Sequence, residues 1–202
     1  MLFSKILESS FKNFHAKGLH YLCLQRTELV TVKAYFFEDE IAGAHDVVIP
    51  HNHRYDFVTE CLSGHLTDIP YEECNPGHGE ARIYNKFNFH TPLNGGEGFV
   101  WEKPVCLLTP TYKRSYVKPG QRLYKKAEEI HTIQVKPDTI ILLTQLQDRE
   151  EKDVPSKAYQ IADADMFPNT SGLYDKMDSD TAYNLLANIE TLGVDTQHIR
   201  FD

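Results

Sequence analysis

Between about residue 20 and residue 146 the chain is a succession of short runs rich in β-branched and aromatic residues. They are "LVTVKAYFF" (29–37), "YDFVTECL" (55–62), "EARIYNKFNF" (80–89), "GFVWEKPVCLLT" (98–109), "RLYKKAEEIHTIQV" (122–135) and "TIILLTQL" (139–146). Clusters such as "NPGHG", "PLNGGEG", "KPG" and "KPD" punctuate them. Strands joined by turns, with no helical spacing between them, leave an all-β sandwich or barrel as the architecture.

The two ends read differently. Leu2, Phe3, Ile6, Leu7, Phe11 and Phe14 recur at helical spacing, opposite Lys5, Glu8, Lys12 and Asn13, until Gly18 stops the pattern. This predicts an amphipathic opening helix over 1–18. Glu8 and the shortage of arginine argue against a targeting helix there. At the far end "MDSDTAYNLLANIETLG" (177–193) predicts a closing helix. Asp178 or Ser179 would cap it, Leu185, Leu186, Ile189 and Leu192 would face the core, and Gly193 would end it. "QDREEKDVPSK" (147–157) reads as a solvated loop. One domain over 1–202 is expected, with its β-barrel core at 20–147.

Charge and composition exclude several functions. The 202 residues carry a formal net charge of −8 with no large cluster of Lys or Arg. Phosphate neutralisation needs concentrated cations, so no nucleic acid is expected as a partner. The longest strongly apolar run, Ile140 to Leu143, is far too short to cross a membrane. The four cysteines are scattered without a C-x-x-C pair, and residues 1–18 lack the apolar run of a signal peptide. Reduced thiols and a cytoplasmic protein are the expectation.

The chemistry is concentrated in "VVIPHNHRYDFVTECLSG" (47–64). Residues i and i+2 of a strand share a face, so His51 and His53 would project into one cavity with Tyr55 and Phe57. Two imidazoles on one face suit two adjacent ligands of a metal ion. An H-x-H by itself is more often ordinary strand polarity.

The surroundings of that pair resemble the first motif of the cupin superfamily, G-x5-H-x-H-x3,4-E-x6-G. After His53 come Arg54, Tyr55 and Asp56, then Phe57 where the family has glutamate, and six residues later Gly64. His45 stands at the place of the opening glycine, with Gly43 two residues earlier. The second motif, G-x5-P-x-G-x2-H-x3-N, is matched in spacing by Gly120 and His131, with Lys126, Glu128 and Val135 at its other marks. The resemblance spans about residues 47 to 135. It implies a double-stranded β-helix (jelly-roll) barrel flanked by the two helices, and a metal held by His51, His53 and His131.

Phenylalanine at 57 cannot ligate, so the implied site has three neutral imidazoles. Within the superfamily that set resembles the three-histidine thiol dioxygenases, of which cysteine dioxygenase is the best known. Their motif has a different spacer and cysteine or glycine at this place. The resemblance implies iron(II), open positions for substrate and O₂, and a small anionic or thiol substrate. Zinc, nickel or manganese are alternatives; zinc would suit hydrolysis or hydration.

Around the metal, Tyr55 is a candidate proton donor, as are Tyr112, Tyr116, Tyr124 and Tyr159. Arg54, Arg82, Arg114 and Arg122 are candidates for holding a carboxylate. Glu129 shares strand parity with His131, a position from which it would accept a hydrogen bond from an imidazole. Asp56 and Glu60 have the opposite parity and read as solvent-facing or hydrogen-bonding residues. His45 and His65 are minor pocket candidates, whereas His15, His20, His78, His90 and His198 read as peripheral. Two rival functions stay open: a metal-free cupin isomerase or epimerase using a His–Asp pair with a tyrosine, and a non-enzymatic cupin that binds a small ligand. A homodimer through barrel edges is also expected.

Overall fold

The computed structural model describes residues 2–38, 47–76, 80–91, 96–148, 154–162, 168 and 170–200. Two antiparallel sheets face one another. In chain order the elements are α1 (Phe3–Glu8), β1 (Phe11–Lys12), β2 (Leu19–Arg26), β3 (Thr31–Phe37), β4 (Tyr55–Ser63), β5 (Leu66–Glu73), β6 (Arg82–His90), β7 (Gly98–Pro110), β8 (Ser115–Val117), β9 (Arg122–Lys125), β10 (Ile130–Val135), β11 (Thr139–Asp148), β12 (Ser156–Ile161), β13 (Asp175–Lys176) and α2 (Ser179–Thr191). One sheet runs β13-β1-β2-β3-β11-β4-β9 and the other β10-β5-β7-β6-β12, with β8 against β5. This is an all-β barrel of two antiparallel sheets with a helix at each end.

Strand alternation explains the layers. On β3, Val32, Ala34 and Phe36 point away from the barrel, while Thr31, Lys33, Tyr35 and Phe37 point into it. The outward set joins Leu22 and Leu24 of β2 and Ile140 of β11 in a core with Ile6 of α1 and Ala182, Leu186 and Ile189 of α2. Both helices therefore cover the outer face of the larger sheet. Burying each such aliphatic side chain contributes about 1.5–3 kcal/mol. Inside the barrel, Leu19, Phe37, Cys61, Leu66, Val135 and Ile141 form a second core.

Two chain positions fix the barrel's turns. Gly64, between β4 and β5, has φ +71°, and a Cβ there would fall 2.6 Å from the Cα of Thr139. Only glycine fits. The run 122–135 is two strands, not one: β9 pairs with β4 in one sheet and β10 with β5 in the other. No Gly or Pro marks the turn between them. It is held from outside, because Asp56 accepts a hydrogen bond from the Ala127 N–H at 2.9 Å and another from the Tyr124 hydroxyl.

The ends differ in detail from the expectation. The opening helix stops at Glu8, and Phe11 and Phe14 pack on Tyr21 as an aromatic cluster instead. Positive φ at Asn13 and His15 turns the chain away from helix. Strand pairing also reaches beyond residue 147, since β12 pairs with β6. The closing helix matches well: Asp178 caps it by accepting from the Thr181 N–H at 2.8 Å. Leu192 lies at its C-terminal end, 39% exposed, not in the core.

Candidate metal centre

His51 and His53 do not lie in a strand, because β4 begins at Tyr55. His51 is a single bridge residue between His131 on β10 and Ala158 beside it on β12. The H-x-H backbone is pinned from several directions. The His51 N–H donates to the His131 carbonyl and the His131 N–H to the His51 carbonyl, each at 2.9 Å. The Asn52 N–H donates to the Lys157 carbonyl at 3.0 Å, and its side-chain carbonyl accepts from the Lys157 N–H at 2.6 Å. The His53 N–H donates to the Ala127 carbonyl at 2.9 Å. Contacts with three separate segments, not strand parity, aim the two rings.

The result is a convergent cluster. One ring nitrogen from each of His51, His53 and His131 lies within 4.8 Å of the other two. Ring centroids are 4.7 Å apart for His51 and His53, 5.1 Å for His51 and His131, and 5.3 Å for His53 and His131. Two Nε2 atoms, of His53 and His131, are 3.0 Å apart. Nitrogens about 2.1 Å from a shared ion and at right angles would be separated by about 3 Å. The His53–His131 separation matches two adjacent ligands of a transition metal, with a His51 nitrogen within 4.8 Å of both.

Hydrogen bonds select the ligating nitrogens. His51 Nδ1 lies 2.9 Å from the Ile49 carbonyl, which can only accept, so Nδ1 carries the proton and Nε2 is bare. His131 Nδ1 lies 2.6 Å from Asp68 Oδ1, and a carboxylate fixes the same tautomer. Burial, helped by the neighbouring His131, pushes His51 down to about 3. Burial also holds His53 well below the ordinary imidazole value, with His51 and His131 adding to it. Both rings are neutral at neutral pH, the form that binds metal.

Asp68 is the residue that the sequence reading missed. It is 1% exposed and reaches His131 diagonally across the β5–β10 pair, since its direct partner is Ile133. Its other oxygen takes the ammonium of buried Lys125 at 2.7 Å. Burial works to raise the Asp68 carboxyl, but the hydrogen bonds and charges of His131 and Lys125 outweigh it and hold it below the usual range. The one available signal was an aspartate inside "HLTDIPY", a stretch otherwise fit for a strand.

Glu129 is not on the imidazole: it lies in the turn before β10, where strand parity does not apply, 44% exposed and 3.3 Å from Lys125. Tyr55 stays beside the cluster, its ring 5.3 Å from that of His53. Arg54 lines the same cavity and pairs with Asp148 at 3.4 Å. Arg122 is taken by Glu60 at 2.8 Å, while Arg82 and Arg114 are exposed at the cavity. Tyr112 and Tyr116 are exposed, and Tyr159 donates to Glu73 at 2.8 Å. His65 is exposed, and His45 and His78 lie outside the described residues. His15, read as peripheral, sits on the cavity wall with Nδ1 2.9 Å from the Tyr174 hydroxyl.

Phe57 is buried with its ring 4.7 Å from that of His53 and 5.8 Å from that of His131. An apolar ring, not a carboxylate, thus lies beside the cluster at position 57. The cluster opens into a cavity of about 2240 Å³.

No family model matches the sequence. No curated protein is similar to it in sequence. Solved structures do resemble the fold. A cupin superfamily protein from Desulfitobacterium hafniense shares 13% identity at TM-score 0.37, over 68% of this chain and 98% of its own. KdgF from a Halomonas species shares 13% identity at TM-score 0.38, over 65% of this chain and 82% of its own. HEPD from Streptomyces albus, solved with 2-hydroxyethylphosphonate and Fe(II), shares 10% identity at TM-score 0.41 over 69% of this chain. The match spans only 23% of HEPD. Fold and cluster together define a two-sheet β-barrel with three histidines converging inside it. No helix among the described residues is long and apolar enough to cross a membrane.

Proposed function

We propose that the chain is a metal-dependent cupin-type oxygenase, with iron(II) held by His51, His53 and His131 and a small anionic or thiol compound as substrate. The observation that carries this reading is the convergence of three imidazole nitrogens within 4.8 Å. Bare Nε2 atoms on His51 and His131 support it, each fixed by a proton on Nδ1. When bound, iron(II) would supply a redox-active Lewis acid at which substrate and O₂ can react.

The chain's own groups define the rest. Asp68 keeps His131 in the ligating tautomer and Lys125 holds Asp68 in place. Phe57 leaves the ligand set neutral and presents an apolar edge instead of a fourth ligand. Such a set keeps positive charge on the ion, which favours an anionic ligand. Tyr55 stands beside His53 with a hydroxyl able to move a proton. The test is oxygen uptake with a panel of small thiols and thiol acids, by protein purified anaerobically and reconstituted with iron(II). Thiol-dependent uptake supports the reading, and no uptake with any of them overturns the thiol branch.

A second reading draws on the same residues. His131 and Asp68 at 2.6 Å form a His–Asp pair, with Tyr55 nearby, the elements of a metal-free isomerase or epimerase. Under that reading, activity would survive complete removal of metal.

A further inference from the structure

Inside the barrel, Lys33 has no counter-ion among the described residues. Lys33 points inward by the alternation of β3 and is 7% exposed, yet among the described residues it makes no ion pair. Its hydrogen bond goes to the Tyr55 hydroxyl at 3.4 Å. Its ammonium lies 5.0 Å from the centre of the Tyr55 ring and 5.9 Å from that of Tyr21. Lys125 is the contrast: equally buried, it is held by a carboxylate at 2.7 Å. Cation–π contacts are worth about 0.5–2 kcal/mol, well short of what burying an unpaired ammonium costs. Among the described residues no carboxylate offsets Lys33.

Its position explains why such a charge would be kept. Lys33 lines the same cavity as the three histidines, and the Tyr55 ring lies 5.0 Å from its ammonium and 5.3 Å from the His53 ring. Because the Tyr55 oxygen accepts from Lys33, its own O–H remains available to donate. An ammonium and a hydroxyl side by side form a carboxylate-binding pair. Tyr21, Tyr35 and Phe57 line the cavity around them and offer an apolar wall.

We propose that Lys33 is the residue that selects an acid: the cavity takes a small organic carboxylate whose anionic group sits on Lys33 Nζ and the Tyr55 hydroxyl, with its apolar body along the aromatic wall and its far end towards the histidines. This assignment rests on the substrate site lying at the histidine cluster, as proposed above. It requires no change in the fold, since every group is already in place.

Benzoate and its neutral counterpart benzamide test it on the full-length, metal-free protein by calorimetric or NMR titration. Wild type is expected to prefer benzoate. Lys33→Met and Lys33→Gln are expected to weaken benzoate about tenfold or more and to leave benzamide within about twofold, whereas Lys33→Arg retains the preference. Both neutral variants should melt at or above wild type, because each removes a buried charge without stranding a partner. Benzoate binding unchanged in the neutral variants, or no preference in wild type, overturns the proposal. So does a fall in melting temperature in both neutral variants, which would make Lys33 a structural residue. Metal content is measured separately on the same proteins. A Lys33-dependent preference in a protein that never holds metal would sink the metal reading and leave the acid site standing. Metal bound with no such preference would do the reverse.

Discussion

Asp68 Oδ1 lies 2.6 Å from His131 Nδ1, and through that contact a residue of β5 decides which nitrogen of a β10 imidazole is free. The same carboxylate neutralises buried Lys125. One side chain thus serves both the barrel and the site.

Replacing Asp68 should therefore damage two separable properties. Asp68→Asn leaves the buried Lys125 ammonium with only the half-exposed Glu129 as counter-ion and is expected to cost about 3 kcal/mol of stability in denaturant titrations. Metal affinity should fall about 10–100-fold, since the partner fixing the imidazole is weakened. Adding Lys125→Met should recover most of the stability but not the affinity. Recovery of both together would show that Asp68 acts on the metal only through the fold.

Glu129 gives the opposite expectation. It pairs with Lys125 at 3.3 Å from a position 44% exposed and does not touch His131. Glu129→Gln should leave metal affinity within about twofold, as exposed pairs contribute about 0–1 kcal/mol. A loss on the scale of Asp68→Asn, measured by the same competition titration, would restore Glu129 to the site.

The sequence pattern revealed much of this arrangement and concealed the rest for identifiable reasons. Runs rich in β-branched residues located β3, β4, β6, β7 and β11 because both barrel faces need such side chains. β5 stayed hidden since "HLTDIPYEE" mixes a proline and charges into a strand, and β12 was lost in a charged stretch. The β9–β10 turn has no glycine or proline; distant Asp56 makes it. Phe11 and Phe14 kept helical spacing yet belong to an aromatic cluster with Tyr21. The three histidines were legible through motif spacing. Asp68 and Lys33 were not, since their meaning depends on strand register and on which face is inside.

Acid should loosen the metal-free protein in a defined window. Burial first, then neighbouring histidine charge, holds His51 down to about 3, with His53 also well below its ordinary value. Between roughly pH 6.5 and that value the unfolded chain binds protons that the folded chain does not. Stability is therefore retained above about pH 6.5 and falls as pH drops below it, by at most about 1.4 kcal/mol per unit for each histidine. Urea denaturation at a series of pH values reads the slope. Constant stability from about pH 7 down to pH 5 would contradict the enclosed, neutral imidazoles.

Gly64 should tolerate no side chain. Its φ is +71°, and a Cβ would meet the Thr139 backbone at 2.6 Å. Gly64→Ala is expected to destabilise by about 2 kcal/mol or more, read as a lower midpoint in denaturant. A neutral effect would mean that the β4–β5 turn can shift without disturbing the barrel.

His51, His53 and His131 are proposed to hold one metal ion. Metal analysis of protein purified anaerobically and without a histidine tag tests it most directly, alongside His51→Ala and His131→Ala. Close to one transition-metal ion per wild-type chain is expected and almost none in either variant, with both variants still folded by circular dichroism. Wild-type protein that is folded yet takes up no transition metal, even on titration, would contradict it.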